Sequence, residues 1–167
     1  LVRSSPAPVS FETLLLLIGR LNYASTNTES LLIHVIAGLC RTDKESAVVI
    51  FLTLNTTRAR VDLIERLAKL ERTGAAERER VLASTRRLLK FAALRNHYNH
   101  CIYSFDPESG AARTILMRIA DRKDNIKVGE MTDIDDAAIA DIERALGELT
   151  ALNTEIWAMI RELDYPL

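Results

Sequence analysis

The chain has 167 residues, of which 48% are hydrophobic and 27% are charged, and its formal net charge is −1. This length is enough for one hydrophobic core and short for two, so we predict a single domain over residues 1–167, with an irregular terminus at 1–9. A nearly neutral chain lacks the overall field of a strongly basic nucleic-acid binder. Any contact with RNA must therefore come from a local basic patch.

The cysteine count and the apolar runs exclude two further classes of protein. Cys40 and Cys101 are too few for the disulfide framework of a small secreted protein, which favours reduced thiols and a cytoplasmic location. The apolar run at 14–18 is far shorter than a membrane span, so no membrane partner is expected.

The first predicted helix begins near Ser10 and runs to Leu39, because apolar residues recur along it at spacings of three and four. Its middle, residues 22–29, is polar. Thr26 and Glu29 have the spacing of a capping box, but the stretch contains no Pro or Gly, which favours one uninterrupted helix. The polar stretch is therefore predicted to line a feature of the fold.

The second and third predicted helices are separated by a glycine. Helix two begins at the N-cap Asp43 and ends before Gly74. Helix three runs from about Ala75 to Tyr103, where the turn-forming residues 106–110 stop it.

A short β-prone insert precedes the last helix. Residues 114–119 and 126–128 read as a small hairpin within an insert at 111–128, and Thr132 or Asp133 is expected to cap the final helix. The predicted fold is thus all-α, an up-down bundle of about four long helices with a short β-hairpin insert between helices three and four.

Polar residues interrupt the apolar pattern near the end of helix three. The pattern runs through Val81, Leu82, Leu88, Leu89 and Ala92 and then meets Asn96, Asn99 and His100 at the same spacings. Buried polar side chains need hydrogen-bond partners. The alternative is that this face opens into a cleft or a subunit contact.

Arg95, Asn96 and His100 together resemble the motif of the HEPN superfamily, an Arg followed by a polar residue and, four to six residues later, a His. The resemblance implies an all-α fold that forms a homodimer, so that two copies of the motif meet. In many members it also implies a metal-independent endoribonuclease, often a toxin or a defence protein. A possible antitoxin partner follows from the same resemblance.

The residue types suit cleavage of RNA by its own 2′-hydroxyl. The unperturbed pKa of His lies near neutral pH, so His100 is the candidate for proton transfer. The planar guanidinium of Arg95 is the candidate for stabilising the phosphate. Asn96 would orient the substrate or His100, with Asn99 in support. Taken singly, each of these residues is more often structural.

Two further features are expected to support such a site. Glu29 is either an exposed carboxylate or the group that pairs with Arg95 and fixes its direction. No Asp or Glu occurs between residues 80 and 105, and Arg86, Arg87 and Lys90 in this stretch form either an RNA-binding face or an ordinary solvated one.

Metal and cofactor chemistry have little support. His97, His100 and Cys101 lack a fourth nearby ligand, so no metal site is predicted. The acidic residues at 133–136 suit a helix start better than a metal. No glycine-rich phosphate loop is present, and no cofactor is predicted.

Three functions follow from these observations. The first is a metal-independent endoribonuclease of HEPN type that acts as a homodimer on RNA. The second is a non-catalytic module of the same fold that binds RNA, a nucleotide or a protein. The third is a helical dimeric interaction protein whose polar cluster only specifies the interface.

Overall fold

The computed structural model describes residues 11–122 and 125–167, with the backbone alone considered at 117–122, 125–128 and 130. The predicted irregular terminus at 1–9 lies outside these residues. The described chain is mostly helical and carries one small antiparallel sheet. Its elements are α1 (Phe11–Ser30), α2 (Leu32–Cys40), α3 (Lys44–Thr53), α4 (Thr57–Ala68), α5 (Ala75–Asn99), β1 (Cys101–Phe105), β2 (Ala112–Arg122), β3 (Asn125–Ile134) and α6 (Asp136–Glu162).

The first predicted helix is two helices, α1 and α2, which meet at Leu31. In an unbroken helix the Leu31 N–H would donate to the carbonyl of Asn27. That carbonyl instead accepts from the Ser30 hydroxyl at 2.7 Å, and the Leu31 N–H donates to the Thr28 carbonyl at 3.2 Å. The prediction of one uninterrupted helix is wrong here because a serine competes for the backbone acceptor, which bends helices without Pro or Gly.

The second predicted helix is also divided, into α3 and α4. Asp43 is confirmed as the N-cap of α3, since its carboxylate accepts from the Ser46 N–H at 2.7 Å. Residues 54–56 then leave the helical conformation. Thr56 is extended and its hydroxyl accepts from the Ala59 N–H at 3.1 Å, which makes it the N-cap of α4. The competing cap explains why the apolar pattern alone overestimated the length of this helix.

Helix α5 ends at Asn99, four residues before the predicted end at Tyr103. The following run is rich in aromatic and β-branched side chains, which favour strands, and it forms β1. The turn-forming residues do make a turn, in which the Asp106 carboxylate accepts from the Glu108 N–H and Gly110 has a φ of 70°. The turn ends a strand, however, and not a helix.

The predicted short hairpin is a three-stranded antiparallel sheet in the order β1-β2-β3. One register row joins Ile102, Ile115 and Met131 across the three strands. The register of β2 and β3 shifts after Leu116, and Gly129 on the facing strand has a φ of 72°, which glycine adopts most readily. The prediction missed β1 because its residues also fit the end of a helix.

The last helix, α6, begins later than predicted. Thr132 and Asp133 belong to β3, and Asp135 caps α6 by accepting from the Ala138 N–H at 2.8 Å. Asp133 pairs instead with Arg113 across the strands at 2.8 Å. Asp135 and Asp136 therefore lie at a helix start, as predicted, whereas the prediction is wrong for Asp133, which lies in a strand.

The chain divides into two compact units. We call Leu1–Asn22 with Leu94–Ala145 the motif unit, and Tyr23–Ala93 with Leu146–Leu167 the helical unit. The predicted single domain stays a prediction. Buried side chains among the described residues of the motif unit include Leu14, Leu17, Ile18, Leu21, Tyr98, Ala112, Ile139 and Ile142. Those in the helical unit include Leu32, Val35, Ile36, Ile64, Val81, Leu88, Leu149, Leu152, Ile156 and Ile160.

Residues 165 and 166 contact two helices of the helical unit, α2 and α5. The ring of Tyr165 lies so close to Gly38 that a Cβ there would come within 2.1 Å of it. The Tyr165 hydroxyl donates to the Glu77 carboxylate at 2.6 Å, and Nδ1 of His34 lies 2.7 Å from the Pro166 carbonyl oxygen. Only a glycine at position 38 leaves room for this contact.

Candidate functional site

The polar residues at the end of α5 lie on its exposed side. Asn96, Asn99 and His100 are exposed, whereas Phe91 and Tyr98, seven residues apart, are buried. The interpretation that the polar residues continue the core face is therefore wrong, because Tyr98 holds that position. The alternative, that this face opens into a cleft or a subunit contact, stays a prediction.

Asn96 makes hydrogen bonds to both Arg95 and His100. Its side-chain oxygen accepts from Arg95 twice, from Nε at 3.2 Å and from Nη2 at 3.0 Å. Its backbone carbonyl accepts from the N–H of His100 at 3.1 Å, one residue past the end of α5. Asn96 thus sets the direction of the Arg95 guanidinium and continues the helical turn to His100.

Asn99 is fixed by a residue that the sequence did not single out. Its side-chain amide and that of Asn22 exchange two hydrogen bonds, at 2.8 and 2.9 Å, and the Asn22 amide also donates to the Ile18 carbonyl at 3.1 Å. The pair joins α1 to the end of α5 within the motif unit. The sequence contained one indication of a role for Asn22, because Asn22 begins the polar stretch at 22–29, and this stretch was predicted to line a feature of the fold.

The ionisable groups just beyond the motif retain their protons near neutral pH. Burial raises the pKa of Tyr103 to about 12, and burial also raises the pKa of Tyr98 and of Cys101. The Tyr103 hydroxyl donates to the Tyr98 carbonyl at 2.6 Å, which anchors β1 to the end of α5. These groups cannot act as bases near neutral pH, so His100 is the better candidate for that role.

Glu29 is buried and belongs to a network of the helical unit. Only 5% of the residue is exposed, so the expectation of an exposed carboxylate is wrong. Its two oxygens accept from Arg60 Nη1 at 2.7 Å and from the Thr57 hydroxyl at 2.9 Å. Arg60 also donates to the Phe51 carbonyl and stacks on the Phe51 ring. The alternative pairing of Glu29 with Arg95 joins residues of different units and stays a prediction.

The basic residues of α5 face a row of glutamates on α6 within the helical unit. The ion pairs are Arg80 with Glu162, Arg87 with Glu155 and Lys90 with Glu148. The Nε of Arg86 donates to the Leu82 carbonyl of its own helix. Two of the three residues predicted to bind RNA, Arg87 and Lys90, therefore have carboxylate partners that offset their charge.

The same two helices border a groove of about 260 Å³ that the sequence did not predict. Its lining consists of Arg80, Ala83, Ser84, Arg87, Glu155, Ala158 and Met159. The groove belongs to the helical unit, whereas the motif belongs to the motif unit.

Two further properties of the described residues are their capacity to bind a metal ion and to span a membrane. Within them, no group of three or more His, Cys, Asp or Glu side chains lies close enough to hold a metal ion. The Cys101 thiol donates to the His97 carbonyl, at 2.9 Å. In the same part of the chain, every helix is too short or too polar to cross a lipid bilayer.

No protein-family model, no curated protein and no solved structure matches the chain. The resemblance to the HEPN superfamily accordingly rests on the motif alone.

Proposed function

We propose that the protein is an endoribonuclease of HEPN type in which Arg95, Asn96 and His100 form the active site. One observation carries the proposal. Asn96 holds the guanidinium of Arg95 and connects through its carbonyl to His100, and Asn96 and His100 are exposed at the end of a long helix. A guanidinium and an exposed imidazole on the same helix end suit a phosphate that gains charge during the reaction.

Each residue has a defined role in cleavage by the adjacent 2′-hydroxyl. His100 transfers a proton to or from the reacting oxygens, and Arg95 stabilises the charged phosphate. Asn96 positions Arg95, which differs from the predicted role of orienting the substrate or His100. One imidazole cannot serve both sides of an in-line displacement, so the proposal includes a two-fold dimer that brings two copies of the motif to one cleft.

The basic residues of α5 are proposed to attract the RNA. Exposed ion pairs contribute only about 0–1 kcal/mol each, so the glutamates facing Arg87 and Lys90 can be displaced by phosphates at little cost. Arg86 adds a third exposed cation. Binding through these residues should weaken steeply as salt is added, because each phosphate contact releases counterions.

Other parts of the proposal come from the sequence. They are a single domain arranged as an up-down bundle, a cytoplasmic location and an antitoxin partner. The outer end of the β2–β3 hairpin is proposed to limit access to the motif. Shortening this hairpin beyond the register shift should then raise cleavage while the melting temperature stays close to that of the wild type, and unchanged cleavage would reject this role.

The test of the proposed function is cleavage of RNA by the purified protein in EDTA. We expect products with 2′,3′-cyclic phosphate ends, because the attacking oxygen belongs to the substrate. DNA of the same sequence should stay intact. Activity that requires Mg²⁺, or equal cutting of DNA, would refute the mechanism.

The second candidate function is a module of the same fold that binds a partner without cutting RNA. The pairing of the α5 cations with α6 glutamates favours it, since this pairing lowers the attraction for RNA. A protein that neither cleaves RNA nor binds it tightly, in EDTA or in Mg²⁺, would support this candidate over the first.

A further inference from the structure

Strand β1 lies at one edge of the three-stranded sheet, and no other strand of the described chain pairs with its outer side. The Asp106 N–H donates to the Ala111 carbonyl at 2.9 Å, and the Asp106 carbonyl accepts from the Gly110 N–H at 2.8 Å, so the backbone of Asp106 points toward β2. Because this direction alternates along an antiparallel strand, every second residue of β1 points its N–H and carbonyl outward. These residues are Cys101, Tyr103 and Phe105.

The outward backbone groups of β1 are open. Within residues 11–122 and 125–167, none of them has a hydrogen-bond partner. The strand is also accessible, since Ile102 is 48% exposed, Phe105 is 44% exposed and Ser104 is exposed as well. A row of open N–H and carbonyl groups on an edge strand is a template for pairing with another extended chain.

The two edges of the sheet differ in how well they resist such pairing. Natural edge strands are commonly protected by charged side chains, prolines and bulges. At the other edge, β3 carries the exposed Asp133, and Gly129 with a φ of 72° lies at the register shift between β3 and β2. In contrast, the sequence of β1, Cys-Ile-Tyr-Ser-Phe, contains no charged residue, proline or glycine. The edge at β1 is therefore the one open to a further strand.

We infer that the outer edge of β1 binds an extended segment of a different protein, which adds a strand to the sheet. Only an extended backbone offers N–H and carbonyl groups at the spacing of roughly 6.8 Å at which the outward groups of β1 recur. Side chains define the segment further. On the side of the sheet opposite the buried Ala112 and Thr114, an apolar row joins Ile102, Ile115 and Met131. The residue beside Ile102 should therefore be apolar and β-branched.

A second copy of this chain fits the edge less well. Antiparallel pairing of β1 with β1 of a second copy matches all five residues only when the two-fold axis passes through Tyr103. Ile102 then lies beside Ser104 of the second copy, so the apolar row ends there. An axis at Ile102 extends the row but pairs only residues 101–103. A partner of different sequence is free of this restriction, and its binding does not depend on RNA cleavage.

The test measures binding of a fluorescent peptide to the full chain by fluorescence anisotropy. The probe is Lys-Thr-Val-Thr-Val-Thr-Val-Lys, blocked at both ends. In antiparallel register its Val side chains continue the apolar row and its Thr N–H groups point toward β1. N-methylation of the Thr residues should raise the dissociation constant at least about 10-fold, because several hydrogen bonds are lost. N-methylation of the Val residues should leave it unchanged, because their N–H groups point away from β1.

Variants of β1 locate the bound peptide. Phe105→Pro removes one outward N–H and leaves the hydrogen bonds to β2 in place, so the dissociation constant should rise roughly 10-fold. Phe105→Ala is the matched control. It loses the same ring, with its contact to Phe11, but keeps the N–H and should bind like the wild type. Circular dichroism confirms that each variant is folded.

A second pair of variants tests the side chains of the edge. Ile102→Lys should weaken binding, because a lysine on an edge strand discourages pairing. Leu52→Lys, at an exposed apolar position of α3, is the matched control and should bind like the wild type.

Three results would overturn the inference. They are a probe that does not bind at about 1 mM, two N-methylated probes that bind equally, and Phe105→Pro binding like Phe105→Ala. Self-association that Phe105→Pro loses and Phe105→Ala keeps, without binding of the probe, would assign the edge to a second copy instead. RNA cleavage is scored separately on the same samples. A protein that binds the probe at β1 but cleaves no RNA would uphold the inference and refute the proposed function.

Discussion

The two polar clusters of this chain have opposite environments. The cluster around Glu29 is buried, and its carboxylate is bound by Arg60 and Thr57. The cluster at the end of α5 presents Asn96 and His100 to solvent. A buried network stabilises a fold, whereas an exposed one remains available to a ligand. Mutations should therefore affect stability at the first cluster and activity at the second.

The largest effect is expected from truncating the motif. His100→Ala and Arg95→Ala should each lower RNA cleavage by roughly 10²-fold or more, the scale for losing acid–base or charge-stabilising help. The melting temperature should change little. Single-turnover cleavage measures the rates. Arg161→Ala, at an exposed position near the end of α6, is the matched control for loss of a surface charge and should retain full activity.

Mixing the two motif variants sharpens this prediction. If each site uses groups from both copies, a mixture of Arg95→Ala with His100→Ala should recover part of the activity, because one combination of groups is intact. If the variants cleave normally but melt several degrees lower, the cluster at the end of α5 stabilises the fold, as the Glu29 cluster does, and is not an active site.

The buried cluster should show the reverse behaviour. Glu29→Ala leaves Arg60 without its buried carboxylate, and we expect the free energy of unfolding to fall by about 3 kcal/mol. For a chain of this size that corresponds to a drop of roughly 6–12 °C in melting temperature. Glu71→Ala, at an exposed glutamate, is the control and should change stability little.

The same variant tests the predicted pairing of Glu29 with Arg95. A large loss of cleavage at an unchanged melting temperature would show that Glu29 serves the motif. Loss of stability with normal cleavage, measured well below the melting temperature, would assign it to the buried network alone.

Two glycines in helices of the helical unit are expected to respond with opposite signs. Gly38→Ala should destabilise by about 1–3 kcal/mol, because the added methyl would press into the ring of Tyr165. Gly147 in α6 has no heavy atom within 4 Å of an added Cβ, so Gly147→Ala should stabilise by about 1 kcal/mol through helix propensity. Denaturant unfolding measures both. Similar effects from the two changes would mean that Tyr165 does not hold the position described.

The smallest expected effect is a pH dependence at the start of α3. Hydrogen bonds from the N–H and the hydroxyl of Ser46 hold the pKa of Asp43 below its ordinary value of 3.8. Because the folded-state pKa is the lower one, the contribution of the cap is complete above the unfolded value and is lost as the pH falls through the folded one. Asp43→Asn keeps an acceptor and does not titrate there.

The melting temperatures of the wild type and of Asp43→Asn are measured as the pH is lowered. The difference between the wild type and Asp43→Asn should be constant down to about pH 5 and should then shift against the wild type below about pH 4. A difference that stays constant to about pH 2 would show that the Asp43 carboxylate does not cap the helix in solution.

The apolar spacing predicted the main helices of the fold but not where they end. The ends depend on single hydrogen bonds, such as the Ser30 hydroxyl on a carbonyl and the Thr56 hydroxyl on an N–H, which compete with an apolar pattern that continues past them. Strand β1 was missed for a related reason. Its residues pair with β2, which lies seven to fifteen residues further along the chain, and the spacing of apolar residues within β1 does not predict that pairing.

The candidate site was predicted in part. The motif gave Arg95, Asn96 and His100, but the spacing of apolar residues put the polar ones on the wrong side of α5. The side-chain hydrogen bond between Asn96 and Arg95 joins adjacent residues, and the spacing of apolar residues does not predict such a bond. The partner of Asn99 is Asn22, 77 residues earlier in the chain, and only the packing of α1 on α5 brings them together.

The most direct test of cleavage at the motif is a substrate with one altered nucleotide. After the cleavage site of the wild-type protein has been mapped on an RNA, that RNA is resynthesised with 2′-deoxyribose at the scissile position alone. We expect cleavage there to disappear in EDTA, because the attacking oxygen is gone, while cleavage at other sites continues. Cleavage at the altered nucleotide at an undiminished rate would contradict the account, since the nucleophile would then have to come from elsewhere.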